Sequence, residues 1–262
     1  MELQDILAHS LKAGRMAGGV LRENFGKAHE VSVKTDNTFV TNVDRQSQEL
    51  VLGHLRGEFP EIPFIAEEQD NRLDASLNDR YYFVVDPLDG TATFVSGVPF
   101  FCVSIALCRG SKPLLGVLVD PSHAEEFTAI AGNGAMLNGD KISVSARETL
   151  AELTLNVNHT KFDDRTFENI NRNVLRKIRR FHKLGSLCLE VAYVAAGRID
   201  GTINNDLSMW DIAAAGLILE EAGGIWSLLD GSKPTFPVLD KMHICASNGK
   251  VHDELLAAIR KG

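Results

Sequence analysis

Two aspartates lie three positions apart in a segment that directly follows an apolar run. The segment is Asp86–Thr91, with the sequence DPLDGT, and the run before it is Tyr81–Val85. The proline after Asp86 biases that residue toward extended backbone, so we expect Asp86 to lie at the carboxyl end of a strand. The proline and the glycine then permit a tight turn that brings Asp89 back beside Asp86.

Two carboxylates held this close repel each other. At roughly 5 Å and an effective dielectric constant of about 20, like charges cost about 3 kcal/mol. A bound cation or a proton must relieve that repulsion. Oxygen ligands at short spacing favour Mg²⁺ or Ca²⁺ over zinc. The alternative is a solvent-exposed turn, because Asp, Pro and Gly are all turn formers.

Other acidic residues occupy positions from which they can join this pair. Glu67 and Glu68 follow the short apolar run Pro63–Ala66, while Asp211 and Asp44 each lie near the start of a predicted helix. Taken singly, each has an ordinary explanation in a solvated loop or in a first helical turn, where an acid complements the helix dipole. Taken together, they predict a pocket of carboxylates.

The spacing of apolar residues predicts the elements that position these acids. In the first half we expect helices over about 2–25 and 43–59, with strands over 63–66, 81–85, 100–107, 114–119 and 126–130. Short polar connections favour antiparallel neighbours among the later strands. This half is typical of an α+β arrangement.

The second half alternates strands and helices. We expect strands over 153–157, 180–184, 201–203 and 243–246, a hairpin near 225–229, and helices over 165–179, 186–196, 210–222 and 251–260. Alternation of this kind is typical of an α/β arrangement. No linker or repeat separates the halves, so we predict one compact domain over 1–262. Residues 1–150 would carry the metal-binding motif, and residues 151–262 would complete the site.

Composition limits the classes of partner. The chain has 262 residues, and 27 basic against 35 acidic side chains give a net charge of −8. The only basic stretch is Arg172–Lys183, so neither nucleic acid nor an anionic membrane is an expected partner. The four cysteines are widely spread and predict reduced core residues. With no secretory signal and no apolar run of membrane-spanning length, we expect a cytoplasmic protein.

Several segments, in chain order, together resemble the inositol monophosphatase family of magnesium-dependent, lithium-sensitive small-molecule phosphatases. They are Ala66–Glu68, Asp86–Thr91, Trp210–Gly216 and Glu221–Gly224, with support from Val40–Asp44, Gly185–Ser186 and Ala195–Arg198. The resemblance covers essentially the whole chain. It implies an α/β fold built as a layered α/β/α/β/α sandwich, as in inositol monophosphatase and fructose-1,6-bisphosphatase, commonly in a homodimer.

The resemblance also implies two to three Mg²⁺ ions in each active site. Glu67, Asp86 and the carbonyl of Leu88 would hold one ion. Asp86, Asp89 and Asp211 would hold a second, and a third, weaker ion would depend on Glu67.

Catalytic and substrate-binding roles are implied as well. Asp44 and Thr91 would orient and help deprotonate the attacking water, and the backbone N–H groups of Gly90 and Thr91 would hold the phosphate. Asn204 stands where animal inositol monophosphatases carry a Glu that contacts the ring hydroxyls. The implied substrate-binding residues are Asp89, Gly90, Thr91, Gly185, Ser186, Asn204 and Asp211. We also expect the segment 34–40 to be a mobile loop that helps to cover the metals.

The resulting hypothesis is a Mg²⁺-dependent phosphomonoesterase of the inositol-phosphate phosphatase type. It would hydrolyse a small polyol or sugar phosphate by direct attack of a metal-activated water, with no phosphoenzyme. Substrates that remain open within this class are a 3′-phosphonucleotide, NADP, fructose 1,6-bisphosphate and histidinol phosphate. An alternative of another class is a non-catalytic regulatory binding partner on the same fold.

Overall fold

The computed structural model describes residues 2–27, 31–33, 39–69, 77, 79–158, 161–238 and 240–261. The loop predicted over 34–40 lies outside these residues apart from residues 39 and 40. Those two belong to β2 (Phe39–Thr41), which pairs antiparallel with β1 (Val31–Val33). No helix in the described part of the chain combines the length and the apolar character needed to span a bilayer.

A seven-stranded sheet forms the first half of the molecule. Its strands follow one another in chain order, and every neighbouring pair is antiparallel except the first, β3 and β4, which is parallel. The strands are β3 (Phe64–Ala66), β4 (Tyr81–Asp89), β5 (Cys102–Arg109), β6 (Lys112–Asp120), β7 (Glu125–Ile130), β8 (Ala135–Leu137) and β9 (Asp140–Lys141).

Both faces of this sheet are buried. On β5, Val103 and Ile105 belong to the apolar cluster under α1 (Leu3–Asn24) and α2 (Asn42–Glu58), whereas Cys102 and Ala106 belong to the cluster on the opposite face. Successive residues of a strand point to opposite faces, so this alternation places helices on both sides of the sheet.

The second half contains a five-stranded mixed sheet in the order β11-β10-β12-β14-β13. Its strands are β10 (Thr154–Val157), β11 (Arg180–His182), β12 (Gly201–Leu207), β13 (Ile225–Leu228) and β14 (Met242–Ser247). The helices of this half are α4 (Asp164–Asn169), α5 (Leu187–Ala195), α6 (Met209–Glu221) and α7 (His252–Arg260), and a short α3 (Thr91–Val95) follows β4.

Helices α5 and α6 lie between the two sheets. On β14, Ile244 and Ala246 join the cluster that contains these helices, whereas Cys245 joins the cluster under α7 and residues 170–175. The layers are therefore α/β/α/β/α, and this confirms the predicted fold class. The central cluster draws residues from both halves of the chain.

Helix α6 approaches the seven-stranded sheet very closely. A Cβ built on Gly116 of β6 would lie 2.7 Å from the carbonyl oxygen of Ala214 in α6. Contact with the backbone of β6 thus explains the small residue at Ala214 in α6. A larger side chain at Gly116 or at Ala214 would push the helix away from the sheet.

The second half differs from the predicted pattern in three places. The helix expected over 165–179 ends at Asn169 and continues as a π-helical turn over 170–175. The strand expected over 201–203 extends to Leu207. The hairpin expected within 225–229 is a single strand, β13, which pairs with β14. Local pattern does not reveal this pairing, since the partner strand lies further along the chain.

Candidate active site

The two central aspartates lie on a β-bulge. Strand β4 does not end at Asp86, as predicted, but continues to Asp89, and its register against β5 shifts between these residues. Asp86 is opposite Ser104 and Asp89 is opposite Cys102, so β4 carries one more residue than β5 over this stretch. An extra residue bends the strand and re-aims its side chains. The prediction of a tight turn after Asp86 is therefore wrong, because the segment is a bulged continuation of β4. The bulge nevertheless brings Asp89 beside Asp86, as expected.

A third carboxylate reaches the bulge from helix α6. The carboxylate oxygens of Asp86, Asp89 and Asp211 lie within 4.8 Å of one another. Asp211 is the third residue of α6 and accepts a hydrogen bond from Ser208 N at 2.7 Å. The ordinary first-turn role predicted for Asp211 and its place in the carboxylate cluster are thus both realised.

Helix α5 fixes the orientation of Asp89. Oδ2 of Asp89 accepts a short hydrogen bond from the Ser186 hydroxyl and a second, at 2.8 Å, from the backbone N–H of Cys188. Ser186 is the N-cap of α5, and its side chain is fully buried. Gly90 makes this approach possible: it has φ +94, and a Cβ there would lie 2.9 Å from the Phe100 carbonyl oxygen.

Asp44 and Thr91 come together from separate elements. Asp44 forms a capping box with Thr41 at the start of α2, accepting from Thr41 N at 2.9 Å and from its hydroxyl at 2.5 Å. The hydroxyl of Thr91 lies 3.1 Å from Asp44 Oδ1 and 3.0 Å from the Leu88 carbonyl oxygen. The same carboxylate therefore starts a helix and contacts the first residue of α3.

Glu67 lies at the end of β3 and is half-buried. Its backbone N–H donates to the Val85 carbonyl at 3.1 Å, which places it beside β4. Its charge raises the pKa of both Asp86 and Asp89. Of the two adjacent glutamates, Glu67 is thus electrostatically part of the cluster, while the backbone of Glu68 is held by Gln48.

The carboxylate cluster brings several negative charges together in a buried site, which disfavours the charged form of each acid. Burial, followed by the charges of Glu67, Asp89 and Asp211, raises the pKa of Asp86 well above its usual range. Burial raises the pKa of Asp89 and of Asp211 from 3.8 to about 7. Lys241 donates to Ser208 Oγ at 2.9 Å and is a smaller cause that lowers the Asp211 pKa.

This donor set fits a hard divalent cation. Three buried or half-buried carboxylates that repel one another are the ligands that Mg²⁺ and Ca²⁺ prefer. Cys102 and Cys188 also border Asp89, but burial raises the pKa of both thiols, which keeps them protonated and poor as metal ligands. They are free, buried cysteines, as predicted.

The seven predicted substrate-contacting residues divide into three groups, of which Gly185 and Ser186 directly precede α5. Asp89, Gly90, Thr91 and Asp211 surround the carboxylate cluster. Asn204 has an exposed fraction of only 3 %, and its amide donates to Glu190 Oε2 at 2.8 Å and to Thr202 Oγ1 at 2.6 Å. These contacts favour a role for Asn204 in holding Glu190 rather than in touching a ligand.

Glu190 is the functional candidate that sequence reasoning missed. It is buried in α5, where its carboxylate accepts from the Gly185 N–H at 2.9 Å and from Thr202 Oγ1 at 3.0 Å, besides Asn204. It thereby holds the loop Gly185–Ser186 that directs a hydroxyl at Asp89. The available signal was a lone acid inside the apolar run of α5, because buried acids require partners.

Comparisons with known proteins agree with this geometry. The model of the inositol monophosphatase family matches residues 2–262. The chain is 36% identical to inositol monophosphatase 2 of Solanum lycopersicum over 99% of both chains. It is 35% identical to Nus factor SuhB of Pseudomonas aeruginosa, over 98% of this chain and 97% of the relative.

Solved structures give the same result. An inositol monophosphatase (IMPase) of Thermotoga maritima has a TM-score of 0.88 at 33% identity, over 98% of this chain and 97% of its own. An IMPase/NADP phosphatase complexed with Mg²⁺ and phosphate has a TM-score of 0.85 at 26% identity, over 99% and 95%.

Proposed function

Because the chain belongs to the inositol monophosphatase family, we propose that it is a Mg²⁺-dependent phosphomonoesterase acting on a small polyol or sugar phosphate. The observation that carries the proposal is the convergence of Asp86, Asp89 and Asp211 within 4.8 Å, at the junction of β4 with α5 and α6. A structural neighbour complexed with Mg²⁺ and phosphate supports the identity of the ion and of the group transferred.

We propose that these carboxylates hold two to three Mg²⁺ ions, as the family resemblance implies. Asp86 would be shared between two ions, with Asp89 and Asp211 on one side and Glu67 with the Leu88 carbonyl on the other. Bound Mg²⁺ supplies electrostatic stabilisation of the negative charge that develops on the phosphate and on the leaving oxygen. The protein's part is to hold the oxygens in place: Ser186 and Cys188 N–H orient Asp89, and Ser208 N–H orients Asp211.

Asp44 and Thr91 are proposed to act on the attacking water. Burial raises the pKa of Asp44, and a higher pKa makes its carboxylate a better proton acceptor. The Thr91 hydroxyl, 3.1 Å from Asp44 Oδ1, would hold the water in line with the phosphorus. The N–H groups of Gly90 and Thr91 precede the first complete turn of α3 and have no acceptor within that helix, so they are available to phosphate oxygens.

A panel of phosphate esters assayed with Mg²⁺ tests the reaction and the substrate together. It contains inositol 1-phosphate, a hexose monophosphate, fructose 1,6-bisphosphate, histidinol phosphate, a 3′-phosphonucleotide and NADP, with phosphate release as the readout. We expect the polyol and sugar monophosphates to give the highest kcat/KM, and Asp89→Asn to abolish release from all esters. A phosphorylated carboxylate trapped and located by mass spectrometry would overturn direct attack by water.

The relatives called Nus factor SuhB favour a second candidate. In this case the chain would serve as a regulatory binding partner, and hydrolysis would not be needed. Complementation of a deletion strain with Asp89→Asn separates the two. Loss of the biological role supports the phosphatase, whereas full rescue by the inactive variant supports the binding role.

Three further expectations accompany the proposal and await measurement. The family resemblance implies inhibition by Li⁺ and assembly as a homodimer, and the sequence pattern predicts a cytoplasmic location. Inhibition at millimolar LiCl in the same assay, light scattering of the purified chain and cell fractionation test them one by one.

A further inference from the structure

A second group of metal-ligating side chains lies away from the carboxylate cluster, on the paired helices α1 and α2. His9 of α1 faces His54 and Glu58 of α2, and one ligand atom from each of the three lies within 4.8 Å of the others. His54 and Glu58 are four residues apart, so they share one face of α2. Both histidine side chains are half-buried.

The distances in this group resemble those around a tetrahedral metal. His9 Nδ1 lies 3.3 Å from His54 Nε2 and 3.7 Å from Glu58 Oε1. Metal–nitrogen bonds of about 2.1 Å at tetrahedral angles place ligand atoms about 3.4 Å apart and the centres of two imidazole rings about 5 Å apart. The ring centres of His9 and His54 are separated by 5.4 Å.

Two further side chains border His9. Its other nitrogen, Nε2, lies 3.8 Å from Asp5 Oδ1, a separation that allows an ion pair but is too long for a hydrogen bond. Phe59 packs edge-on against His9 at 5.5 Å between ring centres.

We propose that His9, His54 and Glu58 form a binding site for Zn²⁺ or a similar transition-metal ion, which joins α1 to α2. Two imidazoles and one carboxylate suit Zn²⁺, Co²⁺ and Ni²⁺ rather than Mg²⁺. Three protein ligands leave a fourth position for water. The site does not share a residue with the proposed phosphatase site: His54 and Glu58 lie at the carboxyl end of α2, whereas Asp44 lies in its first turn.

The first test is ¹⁵N NMR of the histidine ring nitrogens in the wild-type chain, titrated with ZnCl₂ in the presence of excess MgCl₂. We expect the signals of His9 Nδ1 and His54 Nε2 to shift and to saturate at one equivalent of Zn²⁺, counted in addition to any Zn²⁺ that binds at the carboxylate cluster. Unshifted signals from both rings would show that Zn²⁺ binds only elsewhere, and would overturn the proposal.

The second test compares variants by calorimetry and thermal unfolding. His9→Gln and His54→Gln should each lose one bound Zn²⁺ and the associated rise in Tm. His182→Gln, on strand β11, should retain both. Equal Zn²⁺ stoichiometry in His54→Gln and wild type would refute the site. Circular dichroism verifies that each variant is folded.

Discussion

The hydroxyl of Thr91 donates to Asp44 Oδ1 at 3.1 Å, although 47 positions separate the two residues. Asp44 lies in the first turn of α2 and Thr91 is the first residue of α3, so the contact joins two helix starts whose apolar residues pack in the same cluster. It places a buried proton acceptor and a hydroxyl next to the carboxylate cluster, where the proposed hydrolysis requires an attacking water.

Replacing Asp44 by Asn should impair catalysis more than folding. Asn retains an oxygen that can cap Thr41 but cannot accept a proton, so we expect kcat to fall by about 10²- to 10⁴-fold with little change in KM. Steady-state phosphate release and Tm measure the two effects. Asp163→Asn, at the exposed N-cap of α4, is the control. A rate within twofold of wild type would exclude Asp44 as the base.

Replacing Asp211 by Asn should weaken metal binding. Mg²⁺ stabilises the folded state by mass action, and at 100 times its Kd we expect Tm to rise by about 5 °C in the wild type. The rise should require a much higher Mg²⁺ concentration in Asp211→Asn and be unchanged in Asp164→Asn, a first-turn acid of α4. Identical Mg²⁺ titrations of the two variants would contradict the assignment of Asp211 as a ligand.

The metal-free protein should lose stability as the pH rises. Burial holds the pKa of Asp89 and Asp211 at about 7 in the folded state, against 3.8 in the unfolded chain. Between these two pKa values the folded state binds more protons than the unfolded chain does. The stabilisation that protonated Asp89 and Asp211 provide is therefore complete below about pH 4 and is lost as the pH rises through 7. Tm measured with EDTA should therefore fall across this range.

The same linkage predicts how pH changes the effect of the metal. Mg²⁺ competes with protons for the carboxylates, so the Mg²⁺-induced rise in Tm should be larger at pH 8 than at pH 5.5. A rise of equal size at both values would mean that the ion binds elsewhere.

Replacing Glu190 by Gln should disturb Asp89 indirectly. In the glutamine variant, one carboxylate oxygen becomes an N–H₂ group that faces the hydrogen-bond donors of Gly185, Thr202 and Asn204. Two buried donors that face each other without an acceptor lower the free energy of unfolding by about 1–3 kcal/mol. We expect urea unfolding to show this loss and Mg²⁺ affinity to fall. Glu49→Gln, on the exposed face of α2, should change neither. A stability loss with unaltered Mg²⁺ affinity would restrict Glu190 to a structural role.

The contact between α6 and β6 can be tested with a pair of glycine substitutions. In Gly116→Ala the new Cβ would lie 2.7 Å from the Ala214 carbonyl oxygen, and we expect a loss of about 1–3 kcal/mol. In Gly53→Ala, within α2, the Cβ has open space, so stability should rise by about 0.4–1 kcal/mol. Urea unfolding of both variants checks the opposite signs.

The amino-acid sequence was informative where neighbours along the chain decide the outcome. The apolar runs and the paired aspartates are local patterns, and they predicted the two kinds of half and a divalent-cation site, whereas the layer order was implied by the family resemblance. The family resemblance added the roles of Glu67, Asp44 and Thr91 that no spacing could provide.

Tertiary structure decided what depends on distant parts of the chain. The bulge at Asp86–Asp89 exists because β4 continues its pairing with β5, and a local pattern cannot distinguish that from a turn. The partners of Asp89 at Ser186 and Cys188, and the burial of Asn204 against Glu190, result from α5 packing between two sheets. These contacts join residues up to 99 positions apart, and only the folded core brings them within hydrogen-bond distance.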